Sequence, residues 1–258
     1  MNVLNIKVKN LKYMKIIVYY FYDFLLIRKR GCMSTEFSNN LKELFIEKKS
    51  KELKIEKSVL NTLIELANND LDKFKKIYEY ICIKRNYKNI ELNLSIEFLK
   101  DIVNLKINDI ISEISFYNLN SLFVNIIDLI EPIYPLGTVV NLKTEYLNNL
   151  LDDNKISVAT FVIVNRFLYT DNIKTYFQYT GIPYPVGSLG FSRNLYFTSE
   201  LIDEVVHLGY SDDKENAFIY MMKKELIIDK DYCSIGYSSK DDRDKLNLLL
   251  KEVKYIGE

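Results

Sequence analysis

The chain has 258 residues, 48% of them hydrophobic and 27% charged, enough to bury a core in one large domain or two small ones. Lysine plus arginine and aspartate plus glutamate both number 35, so the formal net charge is zero. A balanced chain has no global field to draw it onto nucleic acid or an anionic membrane. Cys32, Cys82 and Cys233 are odd in number, far apart and without CxxC spacing. They point to free thiols in a reducing cytoplasm rather than a disulfide framework or a zinc site.

Residues 1–32 differ in character from the rest of the chain. Ile16-Ile17-Val18-Tyr19-Tyr20-Phe21-Tyr22 leads through Asp23 to Phe24-Leu25-Leu26-Ile27 and then Arg28-Lys29-Arg30. This run is too short for a membrane span, carries an acid in its middle, and ends in bases rather than small residues. Arg30-Gly31 can be encoded by a ribosome-binding-site-like AGAGG just upstream of the Met33 codon. Residues 1–32 are therefore expected to be a leader or a mis-called start.

Between Met33 and Glu131 there is no glycine and no proline, and the segment reads as an all-helical domain, 33–131. Ser34 or Thr35 can cap a first helix with Phe37, Leu41, Leu44 and Phe45 on one face. Ser58 can cap a second, with Val59, Leu60, Leu63, Ile64 and Ala67 as its stripe. Asn68-Asn69-Asp70 breaks it and starts a third, lined by Leu71, Phe74, Ile77, Tyr78 and Ile81. A fourth is expected from Ser95, with Phe98, Leu99, Ile102 and Val103 and then Ile107, Ile110, Ile111 and Ile114. A break at 117–120 precedes a heavily apolar last helix from Leu122 to Ile130. These apolar faces can pack on each other or accept a partner's amphipathic helix. Lysines near Lys48-Lys49 alternate with Glu43, Glu47 and Glu52, which reads as a solvated face rather than a nucleic-acid groove.

The segment 132–258 is expected to be a small antiparallel sheet domain with two C-terminal helices, which makes the fold class α+β. Strands are predicted at 138–142, 158–164, 175–180, 194–197 and 205–210. The second and third form an antiparallel hairpin across an Asp171-Asn172 turn, and the last is an edge. Residues 144–155 form an inserted loop or short helix. Thr198 or Ser199 caps a single helical turn, Asp212 caps a helix to about Ile228, and a last helix spans 239–253. Three of the eight glycines and two of the four prolines fall in Gly181-Ile182-Pro183-Tyr184-Pro185-Val186-Gly187-Ser188-Leu189-Gly190, a loop of fixed shape.

Several of these residues in order carry a family likeness. They are Pro135-Leu136-Gly137-Thr138-Val139-Val140, an apolar strand, Tyr179 followed by Tyr184-Pro185-x-Gly187-x-Leu189-Gly190, Tyr196-Phe197, Ile202-Asp203-Glu204-Val205 and Gly209-Tyr210-x-Asp212. Residues 132–218 resemble domain of unknown function 4176, with a longer 144–155 loop and Val186 where the family tends to carry an acid. The resemblance implies a non-enzymatic cytoplasmic accessory protein of type VII secretion, a chaperone or targeting factor whose partner is a secreted toxin or another secretion-locus protein. An immunity protein is the alternative, and an undetected enzyme a further one.

Chemistry finds little support in the residues themselves. His207 is the one histidine, so a multi-histidine metal site is excluded. Neither GxGxxG nor GxxxxGK[ST] occurs, so no phosphate-binding loop is present. The pairs Asp203-Glu204, Asp212-Asp213 and Asp241-Asp242 read as caps and solvated residues. No cofactor, no nucleic acid and no stable membrane insertion is expected. Tyr179, Tyr184 and Tyr210, read as an aromatic rim of the rigid loop, are the candidate protein contacts.

Overall fold

The computed structural model describes residues 33–100, 102–144, 159–169, 174–188 and 194–234. The leader, the 144–155 insertion beyond Thr144, the Asp171-Asn172 turn, Leu189-Gly190, Asp241-Asp242 and the 239–253 helix lie outside the described residues. Three helices come first: α1 (Met33–Leu53), α2 (Lys57–Asn69) and α3 (Leu71–Cys82). The stripe expected on α2 is buried in full, and that on α3 from Phe74 onward. Asp70 starts α3, its side chain accepting from Lys73 N at 2.9 Å. Ser58 does not cap α2; Glu56 holds that position, and Ser58 Oγ donates to its carboxylate.

The helix expected across 95–114 is corrected to a β-meander. Strands β1 (Tyr87–Asn89), β2 (Leu94–Leu99), β3 (Ile102–Ile107) and β4 (Ile110–Ser115) pair antiparallel in that order. Leu94, Ile96, Val103, Leu105, Ile107, Ser112 and Ile114 are buried and Phe98 and Ile110 pack against them, while the residues that alternate with these face outward. That alternation has period two, the signature of a half-buried sheet. Two-residue connections join β2 to β3 and β3 to β4, opened by Lys100 and Asn108 in the left-handed region at φ +37° and +54°.

Helix α4 (Phe116–Ile130) starts where a break was expected, because Ser115 Oγ accepts from Asn118 N at 3.2 Å and caps it. Every residue from Leu122 to Leu129 is buried. Phe123 stacks on Phe74 of α3 with ring centroids 4.7 Å apart. The apolar surface of α2, α3 and α4 thus packs on itself and on the inner face of the meander, not on a partner.

The strands of the second sheet are β5 (Val139–Leu142), β6 (Ala159–Tyr169), β7 (Thr175–Pro183), β8 (Leu195–Phe197), β9 (Ile202–His207) and β10 (Cys233–Ser234). Their order is β10-β7-β6-β5-β9, with β8 also on β7. The expected hairpin is β6–β7, and β9 is an edge as expected. Among the described residues only β10 departs from antiparallel pairing, lying parallel to β7. The fold is therefore α+β, with helices first, antiparallel sheets, and a helix near the C-terminus, α5 (Asp213–Lys223). Asp212 caps α5 as predicted, accepting from Lys214 N and Glu215 N at 3.0 Å each.

A π-helical stretch, Lys224–Asp229, continues α5. Its widened turn splits three consecutive apolar residues between two cores. Leu226 enters the core of the second sheet, while Ile227 and Ile228 enter that of the helices and meander. Asp231, just beyond, accepts from Asn125 Nδ2 of α4 at 2.9 Å and pairs with Lys49 of α1.

Candidate functional site

The glycine- and proline-rich decapeptide is not a loop throughout. Gly181, Ile182 and Pro183 are the last rungs of β7, paired with Ile163, Val162 and Phe161. Gly181 belongs there because a Cβ would sit 2.9 Å from the Phe197 ring. The chain then turns at Tyr184-Pro185, and Gly187, at φ +66°, donates its N–H to Pro183 O at 2.8 Å.

The tyrosine rim is corrected in one member. Tyr179 is 0% exposed. Its ring packs against Tyr134 and Phe197, and its hydroxyl accepts from Tyr134 N at 3.1 Å. Burial pushes that phenol well above its ordinary pKa. Tyr184 is 60% and Tyr210 82% exposed. They do not share one rim. Tyr184 N is bonded to Thr160 O, whereas the backbone leading to Tyr210 is tied to Thr138, whose carbonyl accepts from Ile163 N. Three residues along β6 separate those anchors, roughly 10 Å.

Around Tyr210 the chain builds a rigid corner. Thr138 is fully buried; its hydroxyl donates to Pro135 O at 2.7 Å and accepts from Gly209 N at 3.0 Å. Gly137, at φ +80°, donates to Ile163 O at 2.9 Å. Gly209 passes so close to the opposing turn that a Cβ would lie 2.2 Å from Leu136 O and 2.9 Å from Thr138 N. This backbone framework holds Leu136, Val164, Val206, Leu208 and Tyr210 out to solvent. Exposed apolar residues on a fixed support have the character of a protein-contact surface, which makes this corner the candidate site. Sequence reasoning found Tyr210 and missed the aliphatic residues beside it, although the pair Leu136-Gly137 and Leu208-Gly209 was visible.

We expect Gly209→Ala to disrupt this corner. The added methyl meets a backbone carbonyl, which cannot swing aside as a side chain can, so the cost should be about 1–3 kcal/mol. Chemical denaturation measures it, and an unchanged midpoint would show that the close approach is relieved at no cost.

A second constellation is buried where the helices meet the second sheet. Glu131, at the end of α4, accepts from Gln178 Nε2 at 2.7 Å and from Lys75 Nζ at 2.6 Å. Lys75 also reaches Glu200 at 2.6 Å, beside a polar cleft of about 490 Å³ lined by α3 and β9. Lys223 Nζ donates to Leu129 O at 2.9 Å and Glu131 O at 2.6 Å. Burial pushes this ammonium down to about 8, against the pull of Asp128 and Glu131. Asp128 accepts from Ser234 N at 2.6 Å on Oδ2. Burial raises its carboxyl to about 7, opposed by that hydrogen bond. Each strongly held group is spent on joining one element to another.

His207 is exposed on β9 opposite Val139. Of the acidic pairs, Asp203 and Glu204 are exposed on β9, Glu204 accepting from Asn141 Nδ2, and Asp212 is the cap already described. Among the described residues no group of three His, Cys, Asp or Glu side chains is placed to hold a metal ion, and no helix is long and apolar enough to cross a membrane.

Residues 133–218 match the model of a family described as domain of unknown function (DUF4176). The matched segment begins two residues before the corner's Pro135 and ends within α5. No curated protein and no solved structure matches the chain.

Proposed function

We propose, from the membership of residues 133–218 in the DUF4176 domain family and from the surface that segment presents, that the protein is a non-catalytic cytoplasmic binding protein. It escorts a toxin exported by type VII secretion, as chaperone or targeting factor, and grips it through the corner formed by Leu136, Leu208 and Tyr210. The observation that carries this reading is the exposed apolar cluster on a rigid backbone support, inside the family segment. Aromatic and aliphatic side chains held in place lose little entropy on binding, so they convert contact area into affinity efficiently.

The test is co-expression with the product of the neighbouring open reading frame, which this reading expects to be the toxin. The pair should co-purify, and Leu208→Asp or Tyr210→Ala should weaken the complex by about 2 kcal/mol, near thirtyfold in Kd. Tyr184→Ala should leave it unchanged. Deleting the gene should stop export. If export continues while the toxin kills its producer, the protein is an immunity factor instead.

A further inference from the structure

The two sheets protect their free edges unequally. A free edge presents unpaired N–H and C=O groups that recruit another strand unless it is short, bulged or charged. Strand β1 has three residues and β10 two. Along β9 the register against β5 shifts twice, leaving Asp203 and Val206 as extra residues, and Asp203-Glu204 adds charge. Strand β4 is neither short nor bulged, and its one charge is Glu113. It runs six residues in unbroken register with β3 and contains no proline, lysine or arginine. Among the described residues no strand pairs with its outer side.

The outward face of β4 has a definite chemistry. Ile111 is 61% exposed, and Glu113 and Ser115 are exposed beside it. The register places Glu113 across from Asn104, which faces Glu97, so two carboxylates share one row of the sheet. The next row holds Leu99, Ile102 and Ser115, with Leu99 and Ile102 exposed. A groove of about 590 Å³ lies over these rows, lined by Phe98, Leu99, Lys100, Ile102, Asn104 and Glu113. Lys106 lies one row away, between Ser95 and Ile111, so the acidic row is the one centred on Asn104.

We infer that the β4 edge is a strand-addition site for an extended segment of a partner protein, carrying a lysine or arginine opposite Glu113 and an apolar residue two positions away opposite Ile111. Backbone pairing supplies affinity and the alternate side chains supply selectivity. Charge decides the occupant. A basic side chain opposite Glu113 meets the acidic row, whereas a second copy paired about Glu113 sets two carboxylates face to face. A second copy paired about Ser112 sets Ile111 against a carboxylate. The site lies outside residues 133–218 and does not depend on the toxin-escort reading.

The test uses the full chain and two N-acetylated ten-residue peptides of alternating valine and threonine, one with lysine and one with glutamate at the centre of the valine face. By fluorescence anisotropy the lysine peptide should bind at least tenfold more tightly than the glutamate peptide. Glu113→Lys, an exposed change that should leave the thermal midpoint in place, should reverse that order. N-methylation of alternate backbone amides in the lysine peptide should abolish binding. Equal affinity for the two peptides, no reversal with Glu113→Lys, binding that survives N-methylation, or no saturable binding overturns the proposal. A dimer by sedimentation velocity that Glu113→Lys dissociates also overturns it, by assigning the edge to a second copy.

Discussion

Lys223→Met should destabilise the protein by about 3–5 kcal/mol, the cost of removing one partner from a buried charged cluster. Three losses combine. The end of α4 leaves carbonyls without intrahelical partners, and Lys223 Nζ satisfies Leu129 O in the last turn and Glu131 O of the residue that caps it. Its charge lies at the negative end of the helix dipole, where a cation is favoured. It is also a cation whose field reaches Asp128 and Glu131, and methionine keeps the volume but not the charge. Urea denaturation measures the loss. The double variant with Asp128→Asn should recover part of it, since one buried carboxylate that Lys223 offsets is then gone. Purely additive losses would show that Lys223 acts through the carbonyls alone.

The cluster ties the helices to the second sheet, and it was nearly invisible in the sequence. Lys223 reads as one lysine among many, and nothing in its spacing marks it as buried. Burial of Asp128 and Asn125 follows from α4 being covered all round, which its apolar content does announce. The meander shows a different failure. Leu99, Ile102 and Val103 fit a helical stripe only if the turn at Lys100 is ignored. The alternation Leu94, Ile96, Phe98 and then Val103, Leu105, Ile107 fits strands instead. Without glycine or proline, the breaks are made by Lys100 and Asn108 adopting positive φ, a conformation lysine does not advertise, whereas Asn108-Asp109 carries a turn signal that the helical stripe passes over. The second half was legible because its punctuation is conventional: Gly137, Gly187 and Asp212 sit where turns and caps need them. Tyr179 and Tyr184 are both tyrosines near the same turn. Tyr179 pairs with Arg166 and Phe197 inside the sheet, whereas Tyr184 lies just past the end of β7, and that placement separates a buried ring from an exposed one.

Asp128→Asn should stabilise the protein at pH 8 by about 2–4 kcal/mol and change the shape of its pH profile. The carboxyl titrates at about 7 in the fold, above its ordinary value of 3.8, because burial penalises the anion. Between those two values the folded state holds more protons than the unfolded one. Stability therefore falls as pH rises from about 4 to 7, and the full cost is present above that. Lys223 has the opposite sense. Its folded value of about 8 lies below 10.5, so the unfolded state holds more protons between them, and stability rises over that interval. The native protein should thus show a stability trough near pH 7–8. Asparagine mimics the protonated acid and keeps an oxygen to accept from Ser234 N, so the fall on the acid side should vanish. The gain should shrink to well under about 1 kcal/mol by about pH 4, where the native aspartate is protonated in the fold and nearly half protonated in the unfolded chain. Thermal melts at fixed ionic strength from pH 4 to 10 follow this directly. A variant whose melting temperature runs parallel to that of the native protein across pH 4–7 would show that Asp128 is ionised in the fold throughout.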